Sequence, residues 1–444
     1  MKKLLLSSLL AGSVMSQVNA QGTNVHEAEG DYRTPIKEFA NGFSEKQVQK
    51  FRQNYNLPHL LKGGDDAVWW GLRTSELFHT SILEPKQPKM ELVENINPAV
   101  GEVKAKTHHF GELSLNDFMV HPHSYAQGFL VVHKGEIVFE NYQGMTAEDH
   151  HVWMSTAKII PGLAVDLLIS EGKIDEEKTI GHYVHDFRGT AYGNSKIKDV
   201  MDMTVGLNSE ENDETRSDPN SIATRMFLAE FGLPYNGELE NVKDILKEAE
   251  STHPAGEKLE YGSPNTEVLV LLVEAVSKKP FSEFVDQRIY SKIGAESTLN
   301  IHLSPNGVAL GHGIVSSRLR DMARIGMLYT PSWNKIATEQ VVSPEIINRI
   351  QTGTRSRDFY RKGFDGPVFI DRLGDDDVIS NARQWDAVFA DGDFWKSGLQ
   401  SQGIYVSPKK DLVIVFFSTN VPDASIHRYA RQIANSGLFE EVEE

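Results

Sequence analysis

One stretch of the chain places reactive side chains directly before a long buried helix, and it constrains the fold more than any other segment. Ser155 and Lys158 stand just before the apolar series at residues 159–168. Apolar residues recur in this series at helical spacing, which predicts a helix that is buried on much of its surface. Gly172 follows where a left-handed C-cap is expected. The chain must therefore build its core around this helix.

Ser155 and Lys158 are three residues apart, so at the start of a helix their side chains lie on one face. A serine hydroxyl is a weak nucleophile unless a neighbouring base takes its proton. Lysine serves as that base only when burial or nearby positive charge lowers its pKa from about 10.4. The positive end of the helix dipole favours both a neutral lysine and an oxyanion. The pattern Ser-x-x-Lys also occurs by chance, so a catalytic interpretation needs further motifs.

The first twenty residues have the pattern of a secretory signal peptide. Lys2 and Lys3 precede a short apolar run, and Val18 and Ala20 are the small residues that precede the predicted cleavage after Ala20. The alternative is a buried first helix. No later stretch reaches the roughly 18 apolar residues that a membrane-spanning helix needs. The sequence therefore predicts a periplasmic or secreted protein without a transmembrane span.

Composition fits an ordinary globular protein and excludes some partners. The chain has 444 residues, of which 40% are hydrophobic and 24% charged, enough for a large catalytic domain with an extension, or for two domains. Removing Lys2 and Lys3 with the signal peptide changes the formal net charge from −17 to −19. No basic patch is present, which argues against nucleic acid and anionic membranes. Without cysteine there is no disulfide, so stability depends on the core.

Hydrophobic periodicity predicts the order of the main elements. A hairpin is expected around Lys134-Gly135, and a second one around the turn at residues 407–411. Helices are expected at residues 197–203, 265–277, 281–293 and 321–328 and after Asp423, with variable helices and loops at residues 209–250. This order predicts an α+β fold, an α/β sandwich in which an antiparallel sheet is flanked by helices, plus a mostly helical subdomain.

Tyr261 is a second candidate for catalysis. It follows the turn residues Pro254 and Gly256 and stands just before a predicted buried helix. A tyrosinate beside a lysine ammonium can shuttle a proton between Ser155 and a leaving group. The alternative is an ordinary core tyrosine.

The segment Lys396-Ser397-Gly398-Leu399 is the third candidate, because it precedes the predicted strand at residues 403–406. An edge strand at this place offers a backbone N–H to an oxyanion, while Lys396 steadies a substrate carboxylate. The alternative is a solvated surface lysine.

The three motifs occur in the order Ser-x-x-Lys, Tyr, Lys-Ser-Gly, and this order resembles the serine β-lactamase and penicillin-binding-protein superfamily. The tyrosine type is similar to class C β-lactamases and their relatives among esterases, D-aminopeptidases and 6-aminohexanoate-oligomer hydrolases. The resemblance extends over most of the chain after residue 105. It implies a β-lactamase/transpeptidase-like fold.

The resemblance also implies roles for individual residues. Catalysis is expected from Ser155 as the nucleophile, with Lys158 and Tyr261 moving protons. The backbone amides of Ser155 and Leu399 are expected to bind the oxyanion. The residues expected to bind substrate are Ser263, Asn265, Lys396, Ser397 and Gly398. No cofactor is expected. The predicted division is a signal peptide at residues 1–20, an N-terminal extension at 21–105, the hydrolase domain at 106–436 and an acidic tail at 437–444.

Three departures from the class C pattern affect the expected substrate. Class C enzymes carry Tyr-x-Asn, whereas Ser263 takes the third position here and Asn265 comes two residues later. This pattern is closer to the 6-aminohexanoate-oligomer hydrolases and favours an ester or a linear amide over a β-lactam. Leu399 replaces a usual Ser or Thr, but a backbone N–H does not depend on its side chain. Pro161 removes one intrahelical hydrogen bond if the helix begins at Thr156.

The histidines do not predict a metal site. His108 and His109, His121 and His123, and His150 and His151 lack the helical spacing and acidic partner of a zinc site. His312, between two glycines, is expected to lie near the pocket in a structural role.

The leading hypothesis is an exported serine hydrolase that acts on a small-molecule ester or linear amide through an acyl-enzyme at Ser155. The alternatives are a penicillin-binding-type D-Ala peptidase, a β-lactamase, or a cell-wall sensor that is acylated without turnover. The sequence gives no oligomeric state.

Overall fold

The computed structural model describes residues 34–56, 63–420 and 423–442 of the chain. The predicted signal peptide and the last two residues of the predicted acidic tail lie outside these ranges. Among the described residues, no helix has both the length and the apolar character needed to cross a membrane.

The strands are numbered in chain order. They are β1 (His79–Leu83), β2 (Val93–Glu94), β3 (Lys104–Lys106), β4 (Glu112–Ser114), β5 (Ala126–His133), β6 (Glu136–Tyr142), β7 (His151–Val152), β8 (Leu299–Leu303), β9 (Val315–Ser317), β10 (Val378–Ala382), β11 (Trp385–Phe389), β12 (Phe394–Gly398), β13 (Gln402–Ser407) and β14 (Leu412–Ser418).

The α-helices are α1 (Glu45–Gln53), α2 (Asp65–Leu72), α3 (Pro98–Gly101), α4 (Leu115–Val120), α5 (Ile159–Ser170), α6 (Ile180–Tyr183), α7 (Ala191–Asn194), α8 (Ile197–Met201), α9 (Asp213–Ser217), α10 (Ile222–Glu230), α11 (Val242–Lys247), α12 (Ser263–Ser277), α13 (Phe281–Arg288), α14 (Leu319–Met327), α15 (Pro344–Thr352), α16 (Arg357–Lys362), α17 (Asp365–Leu373) and α18 (Ile426–Ala434). Short 3₁₀ helices cover Ile36–Asn41, Thr74–Glu76, Met154–Lys158, His185–Phe187, Tyr290–Lys292, Pro331–Lys335 and Leu399–Ser401.

An eight-stranded sheet with the order β10-β11-β12-β13-β14-β5-β6-β2 forms the centre of the domain. Neighbouring strands in it are antiparallel except at one edge, where the short β2 pairs in parallel with β6. The Lys-Ser-Gly motif ends β12, which pairs with β13 along its length and with β11 at Phe394 and Trp395. The expectation of an edge strand is therefore wrong for β12 as a whole, whereas the motif residues 396–398 pair with β13 alone. The last residues of the motif reach the end of the sheet, where the Ser155 segment packs against β12 and β13.

The predicted hairpins at both ends of the domain are confirmed. β5 and β6 are joined by Lys134 and Gly135, whose φ angles are 49° and 75°. Both angles lie in the left-handed region that a tight two-residue hairpin requires, which explains the glycine. β13 and β14 pair around the predicted turn at residues 407–411.

Core side chains cover both faces of the sheet because alternate residues of a strand point in opposite directions. On β5, Leu130 and Val132 belong to the core that contains α5 and α12. Phe129 and Val131 belong to a second core on the other face, which contains α18. The nucleophile helix is therefore held between the central sheet and the helical part of the molecule.

The helix after Ser155 begins later than the sequence predicts. Residues Met154–Lys158 form a 3₁₀ helix, and α5 then begins at Ile159. Pro161 consequently lies in the first turn of the α-helix, where backbone N–H groups have no α-helical partner. This position removes the difficulty that the proline posed for a helix beginning at Thr156. Gly172, with φ 68°, follows the end of the helix as predicted.

The described part of the N-terminal extension packs against the segment that precedes Ser155. Phe51, Trp69 and Trp70 form an apolar cluster with Val152 and Met154. Since Val152 and Met154 lie directly before the nucleophile, the extension supports the segment that carries it.

Candidate active site

Ser155 lies in a strained and tightly packed part of the backbone. Met154, the residue before it, has φ 48°, a conformation that costs energy for a residue with a side chain. The 3₁₀ turn then brings Lys158 back beside the nucleophile, with its Nζ 3.1 Å from the Ser155 Oγ. The Ser155 residue is half-buried, whereas Lys158 is completely buried. The predicted pairing of these two side chains is present.

Lys158 has three oxygen neighbours. Besides the Ser155 Oγ, its Nζ contacts the Ser263 Oγ at 2.9 Å and the His312 carbonyl oxygen at 2.8 Å. Burial lowers the pKa of Lys158 to about 7, and the positive charge of Lys396 acts in the same direction, against the opposing effect of Glu211. Below about pH 7 the Lys158 amine is therefore protonated, and above about pH 7 it is neutral and free to accept the Ser155 proton.

Tyr261 lies two residues before the start of α12, and its side chain lies beside Lys158. Its ring centroid is 5.1 Å from the Lys158 Nζ and 4.9 Å from the Lys396 Nζ, and its hydroxyl is 3.4 Å from the Lys396 Nζ. Burial raises the pKa of Tyr261 well above its ordinary value, and the carboxylates of Asp386 and Glu211 add to this rise. The neutral phenol is therefore favoured over the tyrosinate that the sequence interpretation invoked.

Lys396 is neither a surface lysine nor placed to hold a substrate carboxylate. It is completely buried, and its Nζ donates to the Asp386 carboxylate at 2.7 Å and to the Ser397 carbonyl oxygen at 2.9 Å. Its third neighbour is the Tyr261 hydroxyl at 3.4 Å. All three N–H directions of the ammonium thus have protein acceptors. This corrects the predicted contact of Lys396 with a substrate carboxylate, and the geometry directs its charge at Tyr261.

Ser397 is also bound within the protein. Its backbone N–H and its hydroxyl both donate to the Asp386 carboxylate, at 2.9 and 2.7 Å. Its Oγ accepts a hydrogen bond of 3.0 Å from Arg372 on α17. Asp386 therefore fixes both side chains of the Lys-Ser pair from the neighbouring strand β11.

The two residues that follow the tyrosine differ in their surroundings. Ser263 faces Lys158 with its hydroxyl, and its backbone N–H donates to the Glu211 carboxylate. Asn265 is buried on the next part of α12, where its Oδ1 accepts a hydrogen bond of 3.1 Å from Tyr192. The structure thus gives Ser263 a contact with Lys158 and Asn265 a contact with the core.

The predicted oxyanion site lies where the Ser155 turn meets the end of β12. A Cβ added to Gly398 would be 2.8 Å from the Trp153 carbonyl oxygen and 3.0 Å from the Ser155 nitrogen. Both are backbone atoms with little freedom to move, so this close approach requires glycine. Leu399 follows as the first residue of a 3₁₀ turn and is half-buried. The Ser155 amide therefore lies against the strand end that leads to the Leu399 amide.

Sequence analysis missed Asp386 and Glu211, and it placed His312 near the pocket with a structural role. Asp386 belongs to β11, a strand that was not predicted, and Glu211 to the acidic region without a motif. His312 contributes a backbone carbonyl, for which a residue type carries no signal. The two glycines beside His312 were the available indication of close packing at that point.

One group of described residues is close enough to share a metal ion. Ligand atoms of Glu230, Glu267 and His312, all buried, lie within 4.8 Å of one another. The His312 ring is 2.9 Å from a Glu230 oxygen, and the His312 backbone N–H donates to Glu267 at 3.1 Å. These hydrogen bonds account for the proximity of the three residues without an ion.

The fold and the three converging motifs define the serine β-lactamase and penicillin-binding-protein class of proteins, as the sequence predicts. A family model described as Beta-lactamase matches residues 126–437. The chain belongs to this family and is a hydrolase of the β-lactamase-related type.

Curated proteins that are similar to this chain include a 6-aminohexanoate-dimer hydrolase. The 6-aminohexanoate-dimer hydrolase of Paenarthrobacter ureafaciens is 26% identical over 293 residues, which cover 66% of this chain and 72% of the relative. Protein flp of Staphylococcus aureus is 24% identical over 134 residues, or 30% of this chain and 24% of that protein.

Solved structures confirm the predicted fold class. A Bacillus anthracis protein assigned as a 6-aminohexanoate-dimer hydrolase superposes with a TM-score of 0.71 at 23% identity, covering 85% of this chain and 95% of that one. A class C β-lactamase mutant gives a TM-score of 0.51 at 12% identity, covering 72% of this chain and 96% of that one.

Proposed function

We propose that this protein hydrolyses short linear amides and esters through an acyl-enzyme formed on Ser155. The observation that carries the proposal is the 3.1 Å contact between the Ser155 Oγ and a completely buried Lys158. A lysine whose pKa is about 7 is partly neutral at neutral pH and can accept the serine proton.

In the proposed acylation step, Ser155, Lys158 and Tyr261 act in turn. The Ser155 Oγ attacks the carbonyl carbon while its proton moves to the Lys158 Nζ, and the oxyanion is bound by the amides of Ser155 and Leu399. When the C–N bond of an amide breaks, Tyr261 donates its proton to the leaving nitrogen. The ammonium of Lys158 then returns a proton to Tyr261. Water finally hydrolyses the Ser155 ester by the reverse sequence of proton transfers.

Lys396 supports the tyrosine in this scheme. A buried phenol loses its proton only at a large cost, because burial raises the pKa of Tyr261. The Lys396 Nζ, 3.4 Å from the Tyr261 hydroxyl, provides a positive charge at the moment when the tyrosinate forms. Asp386 holds this lysine in place.

Linear amides and short esters are expected to be cleaved much faster than β-lactams. Ser263 in place of the class C asparagine and the amide-cleaving relative both support this preference. The measurement is kcat/KM for a 6-aminohexanoate dimer, a p-nitrophenyl ester and nitrocefin with the purified protein. Nitrocefin turnover near the diffusion ceiling of about 10⁸ M⁻¹s⁻¹ would contradict it. An acyl burst without later turnover on every substrate would instead indicate a sensor.

Export is proposed from the basic start, the apolar run and the small residues before Gln21. The mature protein is expected to begin at Gln21 and to be found outside the cytoplasmic membrane. N-terminal sequencing of protein from fractionated cells tests this expectation. Cytoplasmic protein that retains Met1 would refute it.

A further inference from the structure

Behind the catalytic lysine lies a buried group that the proposed reaction does not use. Glu230 ends α10, Glu267 lies on α12 and His312 lies in the loop between β8 and β9. Glu230 and Glu267 have no exposed surface, and His312 is 4% exposed. Three separate elements therefore meet at one polar point in the core.

Glu230 and Glu267 hold His312 from two sides, Glu230 through the imidazole ring and Glu267 through the backbone N–H. The Glu267 carboxylate accepts the His312 backbone N–H at 3.1 Å, and a Glu230 oxygen lies 2.9 Å from the His312 Nε2. Phe227, one turn before Glu230 on α10, also packs its ring 5.8 Å from the imidazole. The carbonyl of the same residue, His312, is the one that Lys158 contacts at 2.8 Å.

This carbonyl helps to decide where the lone pair of a neutral Lys158 points. A neutral amine has two N–H donors and one lone pair, arranged tetrahedrally with its Cε. The His312 carbonyl can only accept, so it must take one N–H. The Ser263 Oγ, at 2.9 Å, is the nearer of the two serine oxygens to the Lys158 Nζ, so it takes the second N–H. The lone pair is then left with the third neighbour, the Ser155 Oγ.

We propose that Glu230, Glu267 and His312 form a positioning unit that fixes the His312 carbonyl and thereby aims the Lys158 lone pair at Ser155. This inference rests on the proposed function and adds three positioning residues to it. None of the three side chains is placed to touch the substrate or the reacting atoms.

The unit orients the lysine without placing a full charge beside it at neutral pH. Burial lowers the pKa of His312 to about 4 and raises the pKa of Glu267 to about 8, and it raises the pKa of Glu230 well above its ordinary value. A charged carboxylate here would raise the pKa of Lys158 and remove the base. The charged groups that act on Lys158 are Glu211, Asp386 and Glu267, which raise its pKa, and Lys396, which lowers it.

The unpaired carboxyl oxygens of the unit support a role in the site. Among the described residues, the Glu230 Oε1 and the Glu267 Oε2 are buried without a hydrogen-bond partner. An unpaired buried polar atom is destabilising, and an apolar side chain of the same size would avoid the penalty. Two such atoms next to the catalytic lysine are therefore better explained by function than by stability.

The test compares Glu230→Gln with Glu230→Met, which have similar size but differ in hydrogen bonding. Activity towards p-nitrophenyl acetate is measured against pH and divided by the active sites counted from the acyl burst. Because a misdirected lone pair is harmful even when the lysine is neutral, Glu230→Met should lower the plateau above pH 7 by up to about 10²-fold. Glu230→Gln should stay within about threefold of the wild type, since it keeps the hydrogen bond.

Tyr290→Phe is the control for loss of one buried hydrogen bond, because its hydroxyl bonds to the Ser297 carbonyl away from the site. It should lower Tm and leave the plateau unchanged. If Glu230→Met does not fold, Glu267→Gln and Glu267→Met provide the same comparison from α12.

Three results would overturn the inference. The first is a folded Met variant with the wild-type plateau, and the second is a Gln variant as slow as the Met variant. The third is a stoichiometric divalent metal ion in the wild type that is lost from Glu230→Gln, because the group would then be a metal site. If the wild type itself gives no acyl burst, the proposed function fails and the inference fails with it.

Discussion

Replacing Ser155 with alanine is expected to remove the acyl-enzyme completely and to lower kcat/KM by about 10⁶-fold, as loss of the nucleophile does in other serine hydrolases. The Ser155 Oγ is the hydroxyl oxygen that Lys158 contacts at 3.1 Å in the proposed attack, and alanine has no hydroxyl for the lysine to deprotonate. Intact-protein mass spectrometry during turnover of a slow ester should show the acyl adduct in the wild type and none in Ser155→Ala.

Ser380→Ala provides the matched control. Ser380 is also completely buried, and its hydroxyl bonds to the Asn381 side chain on the edge strand β10. It should retain activity and acylation. Because Ser155 and Lys158 act as a unit, adding Lys158→Ala to Ser155→Ala should cost little more. An adduct that survives in Ser155→Ala would show that another residue is the nucleophile.

The parts of this molecule that local sequence could predict are those in which spacing and geometry are directly related. Ser155 and Lys158 are three positions apart, so one helical turn brings them together whatever surrounds them. The Lys134-Gly135 turn and the helix that begins at Ser263 are similarly local. The fold class followed because these elements occur in an order that one sheet with helices on both faces can accommodate.

The surroundings of Lys158 were beyond such reasoning because they join distant parts of the chain. The lysine is 105 residues from Ser263 and 154 residues from His312. The His312 contact uses a backbone carbonyl, which every residue possesses, so no sequence pattern marks it. Glu230 comes from the acidic region at residues 209–250, where sequence analysis found only variable helices and loops.

Lys396 shows a different limit. Its motif was recognised, but its role was assigned without its neighbour Asp386. The register of β11 and β12 pairs Ala387 with Trp395, which brings Asp386 beside Lys396. Because β11 was not predicted, the carboxylate that engages the lysine was missing from the argument, and a substrate carboxylate was put in its place.

Tyr261→Phe is expected to lower kcat/KM for amides by about 10²–10⁴-fold and to affect p-nitrophenyl esters much less. An amine leaves only after it gains a proton, and Tyr261 is the neutral acid beside Ser155 that can donate it. A p-nitrophenolate leaves without a proton, so the ester does not need this step. The measurement is kcat/KM for one linear amide and one p-nitrophenyl ester in the variant and the wild type.

Tyr192→Phe controls for the loss of a buried tyrosine hydroxyl near the same helix. Tyr192 is completely buried, and its hydroxyl bonds to Ser209 at 2.7 Å and to Asn265 at 3.1 Å. Its loss should change both substrates little and equally, because it takes no part in proton transfer. If Tyr261→Phe reduced amide and ester cleavage by the same factor, the tyrosine would instead be needed for attack by Ser155. The assignment of Lys158 as the sole base would then be wrong.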